Sequence, residues 1–321
     1  MIKIIDSTLA MLDAYHPTKE QLIEFCECLH VIGITDLELS KQAYHTFQHL
    51  PCGFRFYLHL EVFDKKEEYP GIFKYFVSHH ENEDKVISEY QINDVKEIIQ
   101  LRAHSDLHFV RIVGLDDLLC HDYTFTMKEL LKIFKNGEIY FCPEDMCHCA
   151  TALAVEWLFA GGKIVITSFA TCGLRAATEE VYMAMNIAKR FKPNQSLEVL
   201  VMMKELFESI TGEKIPLFKP IIGSSIFQVE SGIHVDGILK NPANYEAYPP
   251  EKVGQKTEII LGKCSGTSSV LSKCKHLGMG APNEKQLESM LEIIRQISVK
   301  YRRSISDEEF ADLFEEVMSH E

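Results

Sequence analysis

Residues 2–6, Ile-Lys-Ile-Ile-Asp, the stretch from Thr18 to Gly33, and residues 34–39, Ile-Thr-Asp-Leu-Glu-Leu, together decide the fold. The first is a short apolar run closing on an acid, as in a buried strand that delivers a polar residue to a loop. Thr18 and Gln21 stand at capping-box spacing, Leu22, Ile23, Phe25, Leu29 and Ile32 recur at helical intervals, and Gly33 is placed to stop the helix. Residues 34–39 then read as a second strand. Strand, helix and strand in such quick succession make a βαβ unit, whose two strands run parallel.

Outward from this unit the pattern returns: a strand at 137–142, a helix at 150–159 stopped by Gly161 and Gly162, and a strand at 163–167. A further strand is expected at 108–113 and a helix at 178–191. Between 61 and 100 the charge runs at 64–68 and 79–84 read as solvated loops and helix faces, and no strand is assigned there. A complete (β/α)8 barrel takes about 250 residues, whereas the alternating rhythm ends near Phe218. The expected fold is therefore an α/β, TIM-type barrel over 1–218, truncated or degenerate, lacking a strand or several helices. A Gly/Pro-rich lid linker over 219–264 and a small helical subdomain over 265–321 would follow, the latter with helices at 283–301 and from the Ser306-Asp-Glu-Glu309 capping box.

With 46% hydrophobic and 25% charged residues the chain has the composition of a folded soluble protein. No apolar run is long enough for a bilayer, and the opening Met-Ile-Lys-Ile-Ile-Asp lacks a signal-peptide pattern, so a cytoplasmic location is expected. A net charge of −14, with no basic cluster to offset it, disfavours nucleic acid and anionic membranes. The ten cysteines are too few for a disulfide scaffold. Cys26 and Cys28 fall within a helical pattern and read as small packing residues.

The segment from Gly223 to Glu246 (Gly-Ser-Ser-Ile-Phe-Gln-Val-Glu-Ser-Gly-Ile-His-Val-Asp-Gly-Ile-Leu-Lys-Asn-Pro-Ala-Asn-Tyr-Glu) resembles the family of Claisen-condensing synthases that includes homocitrate, isopropylmalate and citramalate synthases. The resemblance continues through Pro250-Glu-Lys-Val-Gly254 and Ile260-Leu-Gly-Lys-Cys-Ser-Gly266, and reaches back to Ile5-Asp-Ser-Thr-Leu9. It implies a barrel, a divalent metal, acetyl-CoA and a 2-oxo acid. Where the family continues its first strand into Arg-Asp-Gly-Glu, this chain has Ala10, Met11, Leu12 and Asp13. The metal-binding His-x-His pair is replaced by Phe141-Cys142-Pro143, and the loop that carries an Asn ligand matches residues 173–177, which hold none. Thioether and methyl groups do not suit hard cations or polarise a carbonyl, so no metal ligand is expected in this chain.

The resemblance makes His234, Tyr245 and Glu230 lid residues that act across a dimer in a partner's site; the alternative is that they only pack. Cys142, Cys147, His148 and Cys149 carry groups that suit zinc. Three consecutive residues cannot converge from one helix, however, and the other reading is small residues at a barrel rim. Asp6, Glu38 and Asp145 fall at strand ends, where barrels place catalysis, and without a metal are expected to be vestigial or to bond neighbouring loops.

The resemblance as a whole implies a companion subunit lending its lid to a separate barrel that holds the metal and acetyl-CoA and acts on 2-oxoglutarate. This is similar to the split form of the family in nitrogen-fixing anaerobes, where an omega-type half carries the carboxy-terminal region. The chain could also form a homo-oligomer. The alternatives are a free-standing condensing or lyase enzyme with altered ligands, and a small-molecule-binding pseudoenzyme.

Overall fold

The computed structural model describes residues 2–188 and 196–319, in two compact units: Met1–Ile215 with Pro220–Ile222, and Pro216–Lys219 with Gly223–Glu321.

The first unit is a closed barrel of eight parallel strands in sequence order: β1 (Lys3–Asp6), β2 (Asp36–Leu39), β3 (Arg55–Leu60), β4 (Lys74–Val77), β5 (Val86–Ile92), β6 (Phe109–Gly114), β7 (Glu138–Pro143) and β8 (Ile164–Thr167). β8 closes onto β1 in register Lys3 to Ile164 through Asp6 to Thr167. No strand is missing; the shortening suggested by the sequence falls on the helices. Helices α1 (Thr8–Met11), α2 (Lys19–Val31), α3 (Lys41–Phe47), α4 (Tyr123–Ile133), α5 (Ala150–Ala160), α6 (Thr178–Ile187) and α7 (Leu200–Thr211) belong to this unit. Between β3 and β4 there is only a 3-10 turn, Lys66–Glu68, and between β5 and β6 a 3-10 helix, Val95–His104. The β4–β5 connection has no helix. It is tied down by polar contacts instead: Lys66 to Glu81 (2.6 Å) and Glu83 (2.7 Å), and Asn82 to the backbone of Asp106 and His108.

Sequence reading placed β1, β2, β6, β7 and β8 and missed β3 to β5. The reason is physical: β4 is four residues, all buried, set between charged loops, so neither alternation nor a following amphipathic helix marks it. The predicted capping box of Thr18 and Gln21 is formed, and Gly33 follows α2 in the left-handed region at φ 86°. Residues 189–191 of the helix expected from 178 lie outside the described residues.

Inside the barrel Tyr57, Phe76 and Tyr140 form a plug with Ile5, Ile87, Val113 and Ile166. Tyr57 stacks on Phe76 with centroids 5.8 Å apart, and its hydroxyl donates to Asp36 at 2.8 Å. A polar atom on a buried aromatic needs such a partner.

In the second unit, β9 (Gln228–Val229) pairs in parallel with β10 (Glu258–Ile259), and α8 (Gly232–Lys240), α9 (Thr267–His276), α10 (Glu284–Tyr301) and α11 (Asp307–Ser319) complete it. The last two helices stand where the sequence puts them, with a capping box at Asn283 and a second cap in which Ser306 Oγ accepts from the Glu309 amide. Their apolar faces bury Leu261, Val270, Met290, Ile294, Phe310 and Leu313 in a separate core.

Candidate functional site

The carboxyl ends of barrel strands are where this architecture places chemistry. Here β1 runs into α1, which carries Ala10 and Met11. Met11 lies against Gly173 of the loop after β8: a Cβ on Gly173 would come within 2.3 Å of the Met11 sulfur, and Gly173 has φ +64°. Met11 is the residue that the sequence resemblance matches to the family's metal-binding carboxylate, and it packs on the loop matched to the one with the Asn ligand. At the end of β7, Phe141 and Cys142 are fully buried, and Cys142 belongs to the interior plug. Among the described residues no three His, Cys, Asp or Glu side chains converge to hold a metal ion. These residues do not fit the family's divalent cation.

What occupies the mouth is an ion-pair network the sequence did not disclose. Arg111 on β6, 2% exposed, donates to Glu38 at 2.8 Å, and its Nε lies 3.2 Å from Glu89 on β5. Its guanidinium lies 4.1 Å from the Phe76 ring centroid. Burial alone would lower the Arg111 pKa, but the two carboxylates outweigh it and raise it. Burial likewise pulls Glu89 upward, but His59 and Arg111 reverse this and hold it below the usual carboxylate range. Arg175 pairs with Glu144 at 2.8 Å. The contacts join β2, β5 and β6, so closure of the barrel is what brings them together.

The other strand-end candidates serve the fold. Asp6 accepts from the Thr8 amide at 2.9 Å and the Thr178 hydroxyl at 2.5 Å. Burial dominates and pushes its pKa to about 6, while those hydrogen bonds pull the other way. Asp145 accepts from the Ala150 amide at 2.9 Å, capping α5. Cys147 and His148 are exposed in the turn before α5, whereas Cys142 is interior; the structure does not bring these residues and Cys149 together. Cys26 and Cys28 are buried on α2.

In the second unit, α8 presents a different surface. His234 is exposed, and its ring lies 5.7 Å from that of Tyr245. Tyr245 rests on Gly237, where a Cβ would come 2.1 Å from its ring. Among the described residues no side chain hydrogen-bonds the His234 ring. Ile233 and Leu239 on the same helix are 79% and 61% exposed. Glu230 is engaged locally: its carboxylate accepts from the Cys264 amide at 2.6 Å, and its carbonyl accepts from Ser265.

Comparison with known proteins matches residues 221–302 to the family model described as homocitrate synthase post-HMGL domain-like. The chain is 27% identical to the homocitrate synthase omega subunit of Clostridium pasteurianum, over 92% of this chain and 90% of that protein. It is 32% identical to 2-isopropylmalate synthase 2 of Caldanaerobacter subterraneus, over 66% of this chain and 55% of the synthase. Against such synthases the chain spans about half their length. The barrel superposes on hydroxymethylglutaryl-CoA lyase from Pseudomonas aeruginosa with a TM-score of 0.51, covering 67% of this chain and 94% of the lyase, at 11% identity, a likeness of fold alone. With the relatives named synthases and the post-barrel segment matched to a domain model of its own, the chain is similar to the homocitrate synthase and isopropylmalate synthase family along its length and carries that family's post-barrel domain over residues 221–302.

Proposed function

We propose that this chain is a companion subunit of a split condensing synthase. It pairs with a separate barrel that holds the metal and acetyl-CoA, and lends His234 and Tyr245 to the condensation with a 2-oxo acid, 2-oxoglutarate in the homocitrate reaction. The observation that carries this reading is Met11 packed against Gly173 where a metal-binding carboxylate would stand. Condensation needs a polarised 2-oxo group and removal of a methyl proton, and Ala10 and Met11 supply neither. Support comes also from the similarity across nine-tenths of a protein named as an omega subunit.

In this reading Tyr245 holds the His234 ring in place, His234 moves a proton at the partner's reacting centre, and Glu230 acts as a positioning residue for the start of α8. Exposed Ile233 and Leu239 give α8 an apolar contact with the partner. We place the pair in the cytoplasm, where free thiols persist; among the described residues no helix is long and apolar enough to cross a membrane. The test is CoA release from acetyl-CoA and 2-oxoglutarate by the chain alone, by the partner barrel alone, and by the mixture. Turnover is expected only in the mixture; equal turnover by this chain alone would overturn the reading.

A further inference from the structure

The connection between β4 and β5 carries His79 and His80, and the 3-10 helix between β5 and β6 ends on His104. His80 and His104 meet across these two connections, their Nδ1 atoms 3.1 Å apart and their ring centroids 5.3 Å apart. Solvent reaches both, His80 being exposed and His104 half-buried. Neighbouring groups hold the pair in place. The Tyr90 ring of β5 lies 4.8 Å from that of His104. Asn82 donates to the Asp106 carbonyl at 3.1 Å and accepts from the His108 amide at 3.2 Å, which fastens the two connections to each other. His79 is engaged separately, 2.9 Å from Glu81, which Lys66 also holds at 2.6 Å.

Two imidazole nitrogens that face each other so closely share something between them. One proton suffices, with one ring donating to the other. A metal ion also suffices: nitrogens 3.1 Å apart, each about 2.0–2.1 Å from an ion, subtend about 100° at it, between the octahedral and tetrahedral angles. Surface imidazoles turn about χ2 to aim at it. Behind His80, Asp106 Oδ2 lies 3.6 Å from Nε2. Its charge favours the tautomer protonated at Nε2, which leaves the Nδ1 lone pair free to ligate, and a carboxylate behind a ligating imidazole is the arrangement that metal sites use. Neutral imidazole selects zinc, nickel or copper over hard magnesium. Among the described residues no third His, Cys, Asp or Glu completes the set, so the ion's other positions face solvent.

We propose that His80 and His104 form a binding site for a divalent d-block ion of the zinc class, which bridges their Nδ1 atoms and staples the helix-free β4–β5 connection to the 3-10 helix before β6. The site belongs to the barrel unit and is built from other residues than Met11 and Gly173. Its failure would leave the companion reading untouched.

The experiment uses the full chain with 15N-labelled histidine rings, at a pH above the histidine range, titrated with zinc chloride and separately with magnesium chloride. The two signals are assigned by their loss in His80→Gln and His104→Gln; should either fail to fold, His80→Asn or His104→Asn takes its place. Zinc is expected to move both rings together along one saturating curve, with magnesium at least about tenfold weaker. Losing either ring should weaken the response of the other by about tenfold or more, and Asp106→Asn should weaken zinc by about tenfold. His148→Gln, in the turn before α5, should leave the curve unchanged. Because the ion joins two connections, zinc should raise the urea midpoint of the unaltered chain above that of either histidine variant. Rings that respond to acid but not to zinc, a shift of only one of the two, or equal responses to zinc and magnesium overturn the proposal.

Discussion

The barrel mouth and the α8 segment treat chemically capable side chains in opposite ways. At the mouth, Arg111, Glu38 and Glu89 come from three strands and are spent on one another in a buried network. On α8, His234 faces the ring of Tyr245, which comes from the turn that follows, and both remain exposed, with apolar Ile233 and Leu239 also exposed on the helix. The paired charges at the mouth work within the fold, whereas the groups on and beside α8 are presented at the surface. Under the companion reading, substitutions at the mouth should act on stability and substitutions on α8 on turnover.

The largest separation is expected from Arg111→Ala. Removing the guanidinium leaves two carboxylates facing each other in a buried site, which costs about 3–5 kcal/mol. Urea denaturation should show the loss in the isolated chain. A change below about 1 kcal/mol would mean the mouth is wet and open, and the contrast would fail.

Asp6 sharpens the same side. Its folded pKa, about 6, lies above the ordinary value of 3.8 because burial disfavours the charged form. Its stabilising contribution is present below pH 3.8 and is lost as pH rises through 6, amounting to about 3 kcal/mol across that window. Comparing denaturation midpoints between pH 4 and 7 for the native chain and Asp6→Asn checks this: the variant should lack that component of the pH dependence. Identical profiles would remove Asp6 as its source.

On the α8 side, His234→Ala should reduce turnover of the mixed complex about a hundredfold at saturating partner, with the chain's own stability unchanged. If turnover falls only as far as complex is lost, the histidine packs and does not act. The smallest effect is reserved for Gly237→Ala. A helix-interior alanine gains about 1 kcal/mol over glycine, but its Cβ would meet the Tyr245 ring and push it from His234. Stability should therefore move by less than about 1 kcal/mol while the pH profile of turnover shifts. A flat profile would show that Tyr245 does not position His234.

Much of this contrast was legible in the sequence, for reasons specific to each residue. Ala10 and Met11 sit within an otherwise recognisable strand end, so their departure from the family's pattern could be read without coordinates. His234 could be singled out because its flanks resemble a lid. Arg111 could not, because its partners stand 73 and 22 residues away and meet it only once the strands close. Strands β3 to β5 were hidden because helices were pared away around them, and with the helices went the rhythm that announces a βαβ unit. The local clamp at Glu230 was missed because a backbone amide, which no side-chain pattern encodes, is what engages it.

The packing of Met11 on Gly173 also constrains how this barrel could evolve. An Asn placed at 173 would tolerate the positive φ but its Cβ would meet Met11, and an Asp placed at 11 would put a charge where a thioether now packs on the loop after β8. Each change alone is a loss, and only several together could be a gain, which is strong non-additivity between touching residues. Any path that brings a carboxylate to 11 and a larger side chain to 173 therefore has to change both at once, and the contact of one sulfur atom with one missing side chain acts as a ratchet against single steps.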